Sequence, residues 1–197
     1  YLAKGDVSKE KDAKDIIKKF ISKLSSLDIL VCNVGDGKYS PPGKETHEEW
    51  QKVMSQNLFS ATNIISEASD YLSLTNGVIV CISSICGIET IKGAPITYSA
   101  AKAALNSYVK GISLPFAEKG IRINAIAPGN ILFPGSTWDK KIKNSPERIK
   151  GLIKEIVPMQ RFGTPEEIAN LVCFLASPLS GFMTGTIVQI DGGQLHT

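Results

Sequence analysis

Four apolar runs, each too short for a helix, divide this chain and limit its fold more than any other feature. They are "LDILVCNVG" from Leu27, "NGVIVCISS" from Asn76, "KGIRINAIAPG" from Lys119 and "TGTIVQIDGG" from Thr184. Each is bounded by Gly, Asn, Asp or Ser, and each is continuous enough for a strand buried on both faces. Helical periods separate them. Residues 9–24 place Ala13, Ile16, Ile17, Phe20, Ile21 and Leu24 on one face, with Ser8 as a candidate N-cap. Thr46 and Glu49 form a capping-box pattern that opens a long helix to about Ser73. Pro95 starts the helix that carries Tyr98 and Lys102.

The stretch from Gly129 to about Lys143 reads as irregular, rich in Pro, Gly and polar residues, with Trp138 inside it. Ser145 and Pro146 then open a helix whose apolar side is Ile149, Leu152, Ile153 and Ile156, closed by Pro158. Thr164, Pro165 and Glu167 start another, burying Ile168, Leu171, Val172 and Leu175. Such alternation defines an α/β fold with a doubly wound parallel sheet and helices on both faces. No repeat or linker divides it, so residues 1–197 read as one domain.

Composition excludes several classes. Apolar residues make up 43% and charged residues 21%, as in a folded globular protein. A net charge of +3, with lysines spread along helices, argues against a nucleic-acid partner. No apolar run reaches the roughly 18 residues a membrane span needs. No signal-peptide pattern opens the sequence, which predicts a cytoplasmic protein. Cys32, Cys81, Cys86 and Cys173 lack metal-ligand spacing and read as free buried thiols. His47 and His196 have no neighbouring ligands, so no metal is expected.

In open α/β sheets ligands bind beyond the carboxyl ends of the strands. Polar and glycine-rich residues cluster there: Asn33 and Gly35 after one strand, Ser83 and Ser84 after the next, Pro128 to Asn130 after a third. Tyr98 begins the following helix, and Lys102 shares its face one turn on. An ammonium roughly 5 Å from a phenol, at an effective dielectric of about 20, favours the phenolate by roughly 3 kcal/mol. That lowers a phenol's pKa from about 10 by about two, towards the range useful for acid–base catalysis. Each residue also has a simpler reading: Tyr98 and Lys102 as a surface pair, Ser84 as a turn former, Asn57 as a solvated helix residue, Asn33 as a loop former, Asp6 as a helix cap.

Taken in order, these marks resemble the short-chain dehydrogenase/reductase family over essentially the whole chain. Asp6-Val7 resembles the pair that borders the adenine ring, and Cys32 to Gly35 resembles the family's N-N-A-G. Asn57, "ISS" with Ser84, Tyr98 with Lys102, "APGNI" and "IDGG" follow in the family's order. The resemblance implies a Rossmann-like fold and an NADP- or NAD-dependent enzyme acting on a carbonyl or alcohol. It implies Asn57, Ser84, Tyr98 and Lys102 as catalytic residues. Tyr98 would exchange the proton on the substrate oxygen, Ser84 would hold that oxygen, Lys102 would bind the nicotinamide ribose, and Asn57 would hold a water. It implies cofactor contacts at Asp6, Val7, Asn33, Val34, Gly35, Tyr98, Lys102, Pro128, Gly129 and Ile131.

Within the family the chain is similar to 3-oxoacyl-(acyl-carrier-protein) reductases, which implies a substrate that is free or bound to a carrier protein. Of two basic positions that grip the carrier in those members, one is Lys119 here and the other is Asn76. A sugar or another small alcohol or ketone is the alternative substrate, and a non-catalytic dinucleotide-binding sensor or scaffold the alternative class. A homodimer or homotetramer is implied, packed through the Asn57 and Tyr98 helices and the terminal strand. Residues 132–157 would cover the substrate.

Departures are also visible. Val34 replaces the family's Ala, and Phe133 stands near a Thr that contacts the nicotinamide amide. The family's T-G-x-x-x-G-x-G turn is not found, and residues 1–6 resemble its third strand. The expectation is that roughly 50–60 residues, comprising the first strand–helix units and the NAD-versus-NADP choice, precede Tyr1.

Overall fold

The computed structural model describes residues 1–37 and 39–195. Four parallel strands, β1 (Ile29–Cys32), β2 (Val78–Ile82), β3 (Arg122–Pro128) and β4 (Ile187–Ile190), lie in the order β1-β2-β3-β4. Helices cross between them: α1 (Glu10–Leu24), α2 (His47–Met54), α3 (Ser60–Ser73), α4 (Ile96–Glu118), α5 (Thr137–Asn144), α6 (Pro146–Ile156) and α7 (Pro165–Ala176).

Strand pleat sorts the core into two layers. Ile79, Cys81, Ile123 and Ala125 face α1, α3 and α4, where Ala13, Ile17, Ile65, Leu72, Leu105 and Val109 meet them. Val78, Val80 and Ile126 face the other way, onto Leu175 of α7 with Ile168, Leu171 and Val172 beside it. A third cluster joins Ile149, Ile153 and Val157 to Trp138, Ile142 and Phe162. Residues 132–157 thus carry an apolar core of their own. Among the described residues no helix is long and apolar enough to cross a membrane.

Several expectations need correction. β1 is an edge strand with Ile29 48% and Val31 43% exposed, so the doubly buried reading fails there. Residues 1–6 form no strand, because no neighbouring strand offers them a ladder. The stretch expected to be irregular holds α5, started by the Ser136 hydroxyl accepting from Asp139 N. The long helix from Thr46 is interrupted by a π turn, Ser55–Phe59. The N-cap of α1 is Lys9, one residue beyond Ser8. Of the four thiols, Cys32 and Cys81 are buried, Cys86 is half-buried and Cys173 is exposed on α7. Among the described residues no cluster of metal-ligating side chains occurs; His196 lies outside them.

Candidate active site

Three strand ends meet at one edge of the sheet, and α4 crosses behind them. Ser84 follows β2 in extended conformation and caps a short 3-10 turn, Ile85–Gly87, its Oγ accepting from Cys86 N at 3.1 Å. That bond leaves the Ser84 hydrogen available to the neighbouring Tyr98 phenol, whose pKa Ser84 lowers. Lys102, one turn along α4, is buried to 3% exposure, and its Nζ donates to Ile82 O at 2.9 Å. The ammonium lies 5.8 Å from the centroid of the Tyr98 ring.

Asn57 sits in the π turn at 1% exposure. Its Oδ1 accepts from Asp36 N at 3.1 Å, and its Nδ2 donates to Val53 O at 3.2 Å and to the Tyr39 hydroxyl at 3.1 Å. Gly35 lies between Asn57 and Lys102. A Cβ built there would stand 2.8 Å from Asn57 Oδ1 and 3.2 Å from Lys102 Nζ, so only glycine leaves that gap open. Asn57 and Lys102 therefore meet at Gly35 with Tyr98 beside Lys102. The readings of Asn57 as a solvated helix residue and of Tyr98 and Lys102 as a surface pair fail on burial, whereas Ser84 does form a turn as its simpler reading has it.

Burial sets the electrostatics. It raises the Tyr98 phenol to about 12; Ser84 opposes that rise, while Cys86, Tyr39 and Asp36 add to it. It lowers the Lys102 ammonium to about 8. The expected fall in the Tyr98 pKa is thus reversed in this structure, because removing the phenolate from water outweighs its neighbours.

Val7, Asn33 and Val34 share a cleft of about 100 Å³ with Cys32, Ser60 and Ala61. Asn63 of α3 anchors one wall, donating to Val7 O at 3.3 Å and Ser8 O at 3.0 Å. Asp6 is exposed and accepts from Ser8 N and Ser8 Oγ, so its side chain closes a turn before α1. Pro128 ends β3. Gly129 packs so tightly on Asp191 that a Cβ would come within 2.7 Å. Ile131 bridges to Gly163.

Three residues escaped the sequence reading. Tyr39 donates to Gln56 Oε1 at 2.9 Å while accepting from Asn57. Glu49 completes only half of its capping box: Thr46 accepts from Glu49 N, but the carboxylate turns away to Ser40 and Thr97. Asn106 is buried below Lys102. Only Glu49 gave a signal, as a helix cap; its partners lie far off in sequence.

A glycine cradle beside a buried ammonium, at the carboxyl ends of parallel strands, fits a dinucleotide. The chain belongs to the short-chain dehydrogenase/reductase family. The family model described as enoyl-(acyl carrier protein) reductase matches residues 1–194. It is an NAD(P)-dependent oxidoreductase of that family.

The chain is 36% identical over 191 residues to a 3-oxoacyl-[acyl-carrier-protein] reductase of Chlamydia muridarum, covering 95% of this chain and 73% of that one. It is 35% identical over 195 residues to a glucose 1-dehydrogenase of Gluconobacter oxydans, covering 98% and 71%. The solved structure of ElxO with NADP bound is similar at a TM-score of 0.90 and 32% identity, covering 100% of this chain and 79% of that one.

Proposed function

We propose that this protein reduces the keto group of a 3-oxoacyl thioester at the site formed by Asn57, Ser84, Tyr98 and Lys102. The observation that carries the reading is the meeting of Asn57 and Lys102 at Gly35, with the Tyr98 ring 5.8 Å from the Lys102 ammonium and Ser84 beside Tyr98. The nicotinamide cofactor, when bound, supplies or accepts the hydride. Lys102, Gly35, Asn33 and the Pro128–Ile131 segment would hold it. Val7 and Val34 would border its far end.

The chain's own groups manage the proton. Ser84 holds the substrate oxygen by hydrogen bond, and Tyr98 gives its phenolic proton to that oxygen as negative charge develops. The raised pKa of Tyr98 keeps it protonated at neutral pH and makes it a weak donor on its own. Lys102 steadies the phenolate that remains. Residues 132–157, whose Trp138 packs against Phe162 with ring centroids 5.4 Å apart, act as the cover over the substrate.

The thioester is favoured by the similarity to the carrier-protein reductase and by the placement of Lys119. Lys119 caps α4 at the surface, and Asn76 Oδ1 fills the space beside Gly120, so one basic docking position is kept and the neighbouring one is neutral. A carrier-bound substrate would dock there. The similarity to the glucose dehydrogenase favours a sugar as the second reading. A homo-oligomer packed on the Asn57 and Tyr98 helices completes the proposal.

NADPH oxidation followed by absorbance, with acetoacetyl-coenzyme A and with glucose plus NADP in the reverse direction, tests it alongside Tyr98→Phe. Turnover of the thioester that Tyr98→Phe abolishes is the expected result. Turnover of glucose alone moves the assignment to a sugar dehydrogenase, and full activity in Tyr98→Phe overturns the catalytic reading.

A further inference from the structure

We infer that Asn106 is the positioning residue for Ser84; the inference rests on the reading of Ser84 as the group that holds the substrate oxygen. Tyr98, Lys102 and Asn106 follow one another at intervals of four along α4 and so share one face of that helix. The first two point their polar atoms at the site. The third reaches beneath it.

A carboxamide at a core position of a helix is unfavourable unless both its ends are bonded. Asn106 is 6% exposed, and both ends go to one short segment. Ser83 Oγ donates to Asn106 Oδ1 at 2.6 Å, and Asn106 Nδ2 donates to Gly87 O at 3.0 Å. Ser84 lies between those two anchors. One side chain on the Tyr98 helix thus holds the chain just before Ser84 and just after the turn that Ser84 caps.

Other contacts make the clamp stiff. Ser83 N donates to Ile126 O at 2.7 Å, which extends the ladder between β2 and β3 to the residue before Ser84. A Cβ at Gly87 would come within 2.6 Å of the Lys102 carbonyl carbon, so the 3-10 turn rests directly on the backbone of α4. Cys86 N, inside that turn, fixes the direction of Ser84 Oγ. Asparagine alone serves both anchors at this length. Leucine offers neither bond, aspartate cannot donate to Gly87 O, and glutamine is one carbon too long. Because Asn106 and Tyr98 belong to one helix, the distance from Ser84 to Tyr98 is set without reference to the covering residues 132–157.

The test follows the Tyr98 ¹³Cζ resonance of tyrosine-labelled protein at neutral pH, assigned with Tyr98→Phe, because that nucleus senses a hydrogen bond to its oxygen without turnover. Ser84→Ala is expected to shift it. Asn106→Leu, or the smaller change Ser83→Ala should the leucine variant not fold, is expected to shift it the same way. Added to Ser84→Ala, neither should shift it further.

On acetoacetyl-coenzyme A, kcat should fall roughly tenfold or more in Asn106→Leu, with no further fall when it is added to Ser84→Ala. NADPH affinity by fluorescence should hold in each variant. An unmoved resonance in Asn106→Leu, or an additive loss of kcat in the double variant, overturns the positioning role. If instead Ser84→Ala and Tyr98→Phe retain wild-type kcat, the catalytic reading fails, while the resonance pattern still decides what Asn106 does.

Discussion

The Thr97 hydroxyl donates to Glu49 Oε1 at 3.2 Å, across 48 positions of sequence. The other carboxylate oxygen takes Ser40 N at 3.2 Å and the Ser40 hydroxyl. Glu49 thereby ties the loop after β1 to the residue immediately before Tyr98. The same loop lies against the tyrosine ring, since a Cβ at Gly37 would be 3.8 Å from Tyr98 Cε2 and Cζ. Glu49→Ala should therefore loosen the loop over Tyr98 and lower kcat/KM roughly tenfold. Glu49→Gln, which keeps one acceptor, should lose less. Steady-state kinetics on both variants, with circular dichroism to confirm the fold, decides this. Equal kinetics in Glu49→Ala and wild type would remove the loop from the site.

The gap at Gly35 predicts a selective loss of cofactor. Gly35→Ala would press a methyl group against Asn57 Oδ1 and Lys102 Nζ. Asn57 cannot yield easily, because its carboxamide is bonded at both ends. NADPH affinity measured by fluorescence titration should weaken at least about tenfold, some 1.4 kcal/mol. Unchanged affinity would place the cofactor elsewhere.

Stability should vary with pH in a way that names Lys102. Its pKa is about 8 when folded and 10.5 as the free side chain, so between those values the unfolded chain holds more protons. Stability gained from this group therefore rises with pH from about 8, by up to about 1.4 kcal/mol per unit. Tyr98 and Tyr108 act oppositely. Both titrate near 12 when folded and at 10.0 when free, so above pH 10 the native state holds more protons and stability falls. The raised Cys32 and Cys86 thiols oppose this above pH 9.0, so urea unfolding between pH 8 and 9 should show the rise in wild type. In Lys102→Met that contribution should vanish, and a persisting identical slope would contradict the burial of the ammonium.

Arg122 makes a prediction about the scaffold alone. Its guanidinium donates to the carbonyls of Leu175, Ser177, Ser180 and Met183 and to the Ser180 hydroxyl, at 3.0–3.2 Å. It gathers the carboxyl end of α7 and the approach to β4. Arg122→Met keeps the stem and loses every bond, and should cost about 3 kcal/mol. The urea midpoint should drop with the slope unchanged. A midpoint within error of wild type would show that water replaces the guanidinium without loss.

What could be read in the sequence follows from how local each signal is. β2, β3 and α7 were legible because their apolar periods and caps lie within a few residues, and the capping box of Thr164 and Glu167 forms as the pattern requires. Tyr98, Lys102 and Ser84 were legible because they recur in a known order. The exposure of β1 was not, since an apolar run looks the same whether a neighbouring strand covers it or not. Nor were Glu49, Tyr39 and Asn106 legible as site residues. Each acts through partners 9 to 48 positions away, and no local period marks such a bond. The helix α5 was hidden by its composition: half of "TWDKKIKN" is charged, and its apolar residues Trp138 and Ile142 join the cluster around Ile149.

The π turn at Ser55–Phe59 has a consequence for how this chain tolerates change. One extra residue in a helical turn advances every later side chain by about 100° relative to a continuous 3.6-residue helix. Here α2 turns Val53 and Glu49 towards the Tyr98 helix, whereas α3 turns Ile64, Ile65, Ala68 and Leu72 into the sheet layer. A straight helix would serve one of those two faces and misdirect the other. Deleting a single residue between Ser55 and Phe59 would restore regular helical hydrogen bonding and still be ruinous, because it would rotate one half against its partners. The slip at Asn57 is therefore a phase setting between two packed surfaces, carried by the number of residues in the turn.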